Sequence, residues 1–232
     1  MRELYDVYRT VGFADTDARA IAEGYGAYAD WLPARRDARL LDLGCGGGEF
    51  LEYLATRGYT HCEGIDLSGE QVQRCIERGL GRVAHVESAE SFLESRPSSF
   101  DCVTMNDVLE HLPKERCIPV LREIRAALTD TGTLVVKVPN LSSAFGPVAR
   151  YLDFTHELGF TEHSLRQVLH AAGYKSVELR TSKVAFALRP KRLAFYLANA
   201  AYRAAHRAVY LAAVGEDAPR LLGKLLIARA HK

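Results

Sequence analysis

The segment Asp42-Leu43-Gly44-Cys45-Gly46-Gly47-Gly48-Glu49 constrains this chain more than any other. It follows Arg39-Leu40-Leu41-Asp42-Leu43, a short apolar run that reads as a buried strand. Glycines placed directly after a strand let the backbone turn tightly and come close to a ligand. A dinucleotide fingerprint wants a glycine at the sixth position of the loop, and here that position is Glu49. A P-loop wants a Lys-Ser/Thr pair, which this loop lacks. The second apolar strand, Cys62 to Asp66, ends in a carboxylate 18 residues after Gly48. An acid there suits the two hydroxyls of a ribose. Loop and acid together point to an adenosine-type ligand without a diphosphate.

The rest of the chain alternates in the same way. Further strands are predicted at Val83–Val86, Phe100–Met105, Thr133–Val138, Ser176–Thr181 and Leu225–Ala230. Helices are predicted at Gly48–Arg57, Ser68–Gly79, Ser88–Ser95, Lys114–Leu128 and Thr161–Ala172. Ser68 reads as an N-cap, with Gln71 completing a capping box. A further helix is predicted to run from Asp15 or Thr16 towards Trp31. This order implies βαβ units: a Rossmann-like, doubly wound, mostly parallel seven-stranded sheet with helices on both faces. The organisation read from it is an N-terminal helical segment (1–35), a core (36–183), a basic helical insertion (184–220) and a last strand (221–232).

Composition narrows the function. The 232 residues carry 30 Lys+Arg against 29 Asp+Glu, a net charge of +1, so the chain as a whole is not built to attract nucleic acid. The hydrophobic fraction of 48% is enough for a packed core. Five cysteines show no Cys-x-x-Cys spacing, so no zinc site is expected. The odd count, and an N-terminus that does not read as a leader, suit the cytoplasm.

Leu41 to Gly48 followed by Gly64-Ile65-Asp66-Leu67-Ser68 closely resembles the class I S-adenosylmethionine-dependent methyltransferases. Phe100-Asp101-Cys102-Val103, Asp107 to Leu112 and Gly132-Thr133-Leu134 fit the same family in the same order. The resemblance covers about residues 36 to 182. It implies that Asp42, Gly44, Cys45, Gly46 and Gly48 line the methionine side of the cofactor. It implies that Asp66 holds the ribose hydroxyls, with Leu67 against the adenine and Ser88-Ala89-Glu90 bordering it. Asn106 is expected near the methionine moiety.

Methyl acceptors bind at the carboxyl ends of strands four and five, where open α/β sheets take their ligands. Glu110 and His111 follow strand four, and His111 is a candidate base beside its structural alternative. After strand five come Asn140, Arg150-Tyr151-Leu152-Asp153-Phe154-Thr155-His156 and Thr161-Glu162-His163-Ser164. This run resembles the subgroup associated with bacterial polysaccharide biosynthesis, which implies a sugar acceptor. On that reading His156 is the general base, Asp153 orients it, and Asn140, Arg150 and Tyr151 bind substrate. Capping and bracing of the next helix is the competing role for Asp153 and His156. Thr161, Glu162 and Ser164 read as a helix start. Asp107, Asp153 and His156 lack metal-ligand spacing, so no metal ion is expected.

Between Glu178 and Glu216 the chain has no acid but carries Arg180, Lys183, Arg189, Lys191, Arg192, Arg203 and Arg207. Apolar residues recur there at helical spacing. Three readings stand side by side: a lid over the acceptor pocket, a basic amphipathic helix resting on an anionic membrane face, and a contact for an acidic acceptor. The functional expectation is O-methylation of a sugar in a surface polysaccharide or its precursor. A small-molecule methyltransferase of quinone or secondary metabolism is the alternative enzyme. A non-catalytic cofactor-binding interaction module is the alternative of another class.

Overall fold

The computed structural model describes residues 24–144, 146–181, 189–215 and 218–232, without the side chains of 189–193, 195 and 196. The strands are β1 (Arg39–Leu43), β2 (His61–Asp66), β3 (Val83–His85), β4 (Phe100–Asn106), β5 (Leu128–Pro139), β6 (Ser176–Thr181) and β7 (Leu225–His231). They form one sheet in the order β3-β2-β1-β4-β5-β7-β6. β1 to β5 pair in parallel. β7 runs antiparallel between β5 and β6, so β6 points the same way as the parallel strands. The expected seven-stranded, mostly parallel architecture is the observed one.

The helices are α1 (Glu49–Thr56), α2 (Gly69–Glu77), α3 (Ala89–Glu94), α4 (Lys114–Ala127), α5 (Gly146–Leu152), α6 (Glu162–Ala171) and α7 (Arg189–Val214). Polar caps set several starts. The Ser68 hydroxyl accepts from Gln71 N, and that of Ser88 from Ser91 N. Thr161 and Ser164 form a reciprocal capping box. Removing such a cap costs about 1 kcal/mol. At Ser68 the expected box is half made: the Gln71 side chain accepts from Arg74 instead of reaching back.

The sheet is buried on both faces. One cluster joins Leu41, Leu43, Ile65, Val103, Met105, Leu134 and Val136 to Leu121 and Ile124 of α4 and Leu165 and Leu169 of α6. The other packs Leu40, Cys102, Val135 and Ile227 against Phe50, Tyr53 and Leu54 of α1, with Tyr28, Trp31 and Leu32. Each such fully buried Leu or Ile contributes on the order of 1.5–3 kcal/mol. The described part of the N-terminal segment is therefore built into the core, ending in a 3-10 turn at Ala29–Trp31. Arg180 of β6 fastens it there: its guanidinium lies 3.5 Å over the Trp31 ring and bonds Asp30 at 2.6 and 3.0 Å. The expected helix start at Asp15 or Thr16 lies outside the described residues.

One strand is longer than expected. β5 begins at Leu128, directly off α4, but its register with β4 shifts between Phe100 and Cys102. Regular pairing starts at Thr133, opposite Cys102. The continuous apolar run that marks a strand buried on both faces begins only there, at Leu134.

Candidate active site

The carboxyl ends of β1, β2, β4 and β5 meet at one edge of the sheet. After β1 the loop turns through Gly44 (φ +75°) and Gly48 (φ +87°), backbone conformations that favour glycine. A Cβ on Gly44 would lie 2.4 Å from Val108 Cγ2, and one on Gly48 2.3 Å from Leu80 Cδ1. The loop is thus pressed between the segment after β4 and the end of α2. Gly44 N and Cys45 N both donate to Ile65 O, at 2.8 and 3.0 Å. Cys45 contributes backbone only, because its thiol is buried against Cys75.

Asp66 holds the loop from the second strand. Its Oδ2 accepts from Gly46 N and its Oδ1 from Ser68 N, both at 2.8 Å. A carboxylate has room for further donors beside these two. Burial pushes its carboxyl up, and the backbone N–H groups of Ser68 and Gly46 pull it down. Leu67 next to it is half-exposed, an apolar surface at the strand end.

Asp42 lies beneath the loop, 2% exposed. Thr104 Oγ1 donates to its Oδ1 at 2.7 Å and Asn106 Nδ2 at 3.2 Å. Burial still pushes the Asp42 carboxyl up to about 7. Asn106 closes β4 and accepts the Tyr28 hydroxyl at 2.5 Å. Thr104 and Tyr28 are site residues that the spacing of motifs does not reveal. Tyr28 enters only through the fold, from 78 residues upstream.

Ser88 and Glu90 turn out to be occupied. The Ser88 hydroxyl caps α3 and donates to Glu90 Oε2 at 2.9 Å, and Glu90 Oε1 pairs with Arg116. Ala89 starts the helix between them. Their side chains brace the edge that the resemblance assigns to the adenine.

Past β4, Asp107 takes φ +55°, which is uncommon for a residue with a side chain, and pairs with Lys137 Nζ at 2.6 Å. A 3-10 turn, Leu109–His111, follows. Glu110 O accepts from both Glu157 N and Leu158 N at 2.9 Å, which ties the segment after α5 to this turn. That tie brings residues 45 positions apart together: the His111 and His156 ring centroids are 4.7 Å apart. His111 Nδ1 meets Thr155 Oγ1 at 2.9 Å and Thr155 O at 3.3 Å, and His156 Nδ1 meets Ala149 O at 3.1 Å. The buried carboxylate of Glu110 lies against both rings, with neither oxygen hydrogen-bonded. Burial, with Asp107 nearby, pushes the Glu110 carboxyl well above the usual carboxylate range. Burial and His156 lower His111.

The expected Asp153–His156 pair is looser than a hydrogen bond, 4.0 Å between Oδ2 and Nε2. Asp153 is buried, and its Oδ1 accepts from Thr155 N and Thr155 Oγ1 at 2.8 and 2.7 Å. It braces its own turn, and through Thr155 it positions His111. Asn140 is fully buried: its amide donates to Leu221 O and Gly223 O, and its Oδ1 accepts from Ser142 N. Its observed side-chain hydrogen bonds go to backbone, a bracing role beside the expected contact with substrate. Arg150 donates to Glu157 O at 2.9 Å and closes the same segment. Tyr151 is 79% exposed, and Val148, Leu152 and Phe154 in the same stretch are exposed as well. Glu162, besides starting α6, accepts from Arg220 N and Leu221 N.

The insertion departs from the carboxyl end of β6, at the same edge. α7 is largely exposed and turns one stripe inward, with the Tyr202 hydroxyl accepting from Ala144 N at 3.1 Å. Among the described residues no helix is long and apolar enough to cross a membrane.

Comparison with known proteins adds to this geometry. A ubiquinone biosynthesis O-methyltransferase of Neisseria meningitidis serogroup C is 35% identical over 96 residues, 39% of this chain and 40% of that protein. The chain thus matches less than half the length of that relative. A methyltransferase of Archaeoglobus fulgidus, described as dependent on S-adenosylmethionine, superposes with a TM-score of 0.69 at 21% identity, covering 93% of this chain and 95% of the other. The 1,6-didemethyltoxoflavin N1-methyltransferase of Burkholderia thailandensis, solved with S-adenosylhomocysteine, superposes with a TM-score of 0.63 at 20% identity, over 100% and 86%. A family model described as a methyltransferase domain matches residues 14–179, well over half of the sequence, and the chain belongs to that family.

Proposed function

We propose that this methyltransferase takes its methyl group from S-adenosylmethionine and passes it to a hydroxyl oxygen of a small, largely apolar acceptor, of the quinone-precursor kind. The loop fits that cofactor: glycines allow close approach, Asp42 offers a buried negative group to an ammonium, and Asp66 and Leu67 offer a carboxylate and an apolar surface to a nucleoside. When bound, the cofactor supplies an electrophilic methyl carbon on a sulfonium. The acceptor oxygen forms its bond to that carbon while the carbon–sulfur bond breaks. The electron pair stays on sulfur, and the hydroxyl proton leaves at the Glu110–His111–His156 cluster. Alignment supplies much of the rate, and removing that proton adds about 100- to 10,000-fold.

The observation that carries the acceptor class is the make-up of the chain from Asn140 to His156, which leads into this cluster. Its polar side chains, Asn140, Arg150 and Asp153, are bonded to the protein itself, whereas Val148, Tyr151, Leu152 and Phe154 present apolar surface to solvent. A sugar needs several unengaged polar partners; an apolar acceptor needs this surface. The relatives named as ubiquinone O-methyltransferases agree with that choice. The small-molecule reading therefore moves ahead of the polysaccharide reading.

The test is methyl transfer from S-adenosylmethionine to a dihydroxybenzoate carrying a prenyl tail, run beside a panel of nucleotide sugars and lipid-linked oligosaccharides. Transfer to the prenylated phenol is expected. Transfer to the carbohydrates alone would restore the polysaccharide reading. Cofactor binding with no transfer to either class would favour the non-catalytic module.

A further inference from the structure

We infer that the Lys137 ammonium holds the acceptor oxygen while negative charge builds on it, which makes Lys137 a further catalytic residue. The inference rests on the proposed O-methyl transfer and adds a contact to it.

Burial is the first observation. Lys137 is 8% exposed and is the only buried lysine or arginine among the described residues. Burying an ammonium is costly unless a partner or a ligand offsets the loss of water. Its pairing is one-sided. Nζ lies 2.6 Å from Asp107 Oδ2, but the Asp107 side chain is 46% exposed and that of Lys137 only 10%. The pair therefore keeps its positive end inside and its negative end towards solvent. An ammonium has three donors. Asp107 is its one ion-pair partner among the described residues, and Tyr25 presents a ring face with its centroid 5.3 Å from Nζ. Donors are left over for a ligand.

Position is the second. The register sets Lys137 opposite Asn106, and Asp42 opposite Thr104. These four side chains share one face of the sheet at the carboxyl ends of β1, β4 and β5. Burial raises the carboxyls of Asp42 and Glu110, and the Lys137 charge opposes that rise in both. The ammonium thus lies within reach of the cofactor side and of the acceptor side. The methyl group has to cross the same interval. The other buried charged groups at this edge, Asp42, Glu110 and Asp153, are carboxyls and cannot stabilise a forming oxyanion.

In the transfer step the acceptor hydroxyl oxygen accepts a hydrogen bond from Nζ. Its proton leaves at the Glu110–His111–His156 cluster, and its lone pair forms the bond to the methyl carbon. The carbon–sulfur pair goes to sulfur, and Lys137 keeps all its protons. A preorganised donor at a developing oxyanion contributes about 100- to 1,000-fold in rate. An opposite charge a few ångströms away also favours the ionised form of the acceptor.

The probe is a nitrophenol with a prenyl tail, whose phenolate absorbs visible light. Bound to wild type with S-adenosylhomocysteine, its ionisation constant should rise by about tenfold or more over the free phenol. Lys137→Met, or Lys137→Gln where the methionine variant does not melt cooperatively, should abolish that rise. The same variant should lower methyl transfer to a prenylated phenol by about 100-fold or more, with S-adenosylhomocysteine affinity held within about twofold. Asp107 has φ +55°, which asparagine tolerates, so Asp107→Asn should fold and leave the bound phenol at least as ionised as in wild type. An ion pair that only braces the turn would make the two variants alike and overturn the inference. So would equal ionisation in wild type and the folded Lys137 variant. Loss of cofactor affinity in that folded variant would overturn it too, and would assign the ammonium to the cofactor's carboxylate. Phenolate binding without transfer would support the contact and overturn the transferase reading. Transfer at the wild-type rate by the Lys137 variant would do the reverse.

Discussion

The two sides of the proposed active site are built on different principles. The cofactor side is made of backbone turned sharply at strand ends: Gly44, Gly46, Gly48 and Asp66 all lie within two short segments, and their geometry is fixed by β1 and β2. The acceptor side is made of side chains gathered from a 3-10 turn and a segment 45 residues later, held together by two backbone bonds to Glu110 O. One is local and specified by spacing; the other is assembled by tertiary contact. Val108 joins them, since it fills the space a Gly44 side chain would need and opens the turn that carries Glu110 and His111. Disturbing one side should therefore leave distinct signatures from disturbing the other.

The largest expected effect is on the acceptor side. His111→Ala and His156→Ala should each lower methyl transfer by about 100-fold or more, with S-adenosylhomocysteine affinity held within about twofold. Initial rates and calorimetry on the same preparations check this. If affinity falls along with rate, the two sides are one unit and the comparison fails.

Next comes the cofactor side. Asp66→Ala should weaken S-adenosylhomocysteine by more than about tenfold, ~1.4 kcal/mol, because it removes a carboxylate facing the ligand and frees both Gly46 N and Ser68 N. Calorimetric titration against wild type measures it. An Asp66→Ala variant that binds as well as wild type would move the nucleoside away from β2.

This difference also explains what could be read from the sequence. The strands, the glycine loop and Asp66 were legible because each depends on residues a few positions apart. So was Thr161, whose hydroxyl caps the helix that starts beside it. The bracing role of Asn140 was not legible because its partners, Leu221 and Gly223, lie more than 80 residues away. Glu110 was passed over as a catalytic group since nothing near it in sequence shows that its carboxylate is buried beside His156. Thr104 and Tyr28 were missed for the same reason: Asp42 and Asn106 meet them only across the folded sheet. The exposed apolar stretch contradicted no periodicity, because α5 is too short to show one.

A smaller, pH-dependent effect separates the sides again. An unfolded aspartate titrates near ~3.9, whereas burial pushes folded Asp42 up to about 7. Below ~3.9 both states hold the proton and Asp42 does not affect stability. Between ~3.9 and about 7 the folded state holds a proton that the unfolded state has lost, so stability falls as pH rises and then levels off. Asp42→Asn should flatten that decline in urea melts across the window. A cationic ligand beside Asp42 favours the ionised form, so binding of S-adenosylhomocysteine near pH 6 should release a proton. Calorimetry in buffers of different ionisation enthalpy would detect it. Uptake, or no exchange, would place the ammonium elsewhere.

The smallest expected effect tests the exposed apolar stretch. Phe154 is 88% exposed, so Phe154→Ser should change stability by no more than ~0.5 kcal/mol and leave cofactor affinity alone. The same holds for Leu152→Ser, at a side chain 61% exposed. What each should change is KM for an acceptor with a prenyl tail, by a few-fold, with kcat retained and with no effect on a tail-less phenol. That pattern follows from surface that binds the acceptor away from the reacting oxygen: it stabilises ground state and transition state alike. A KM rise for both acceptors would place Phe154 against the ring itself. An unchanged KM for the tailed acceptor would free this stretch from the acceptor altogether and remove the main argument for an apolar substrate.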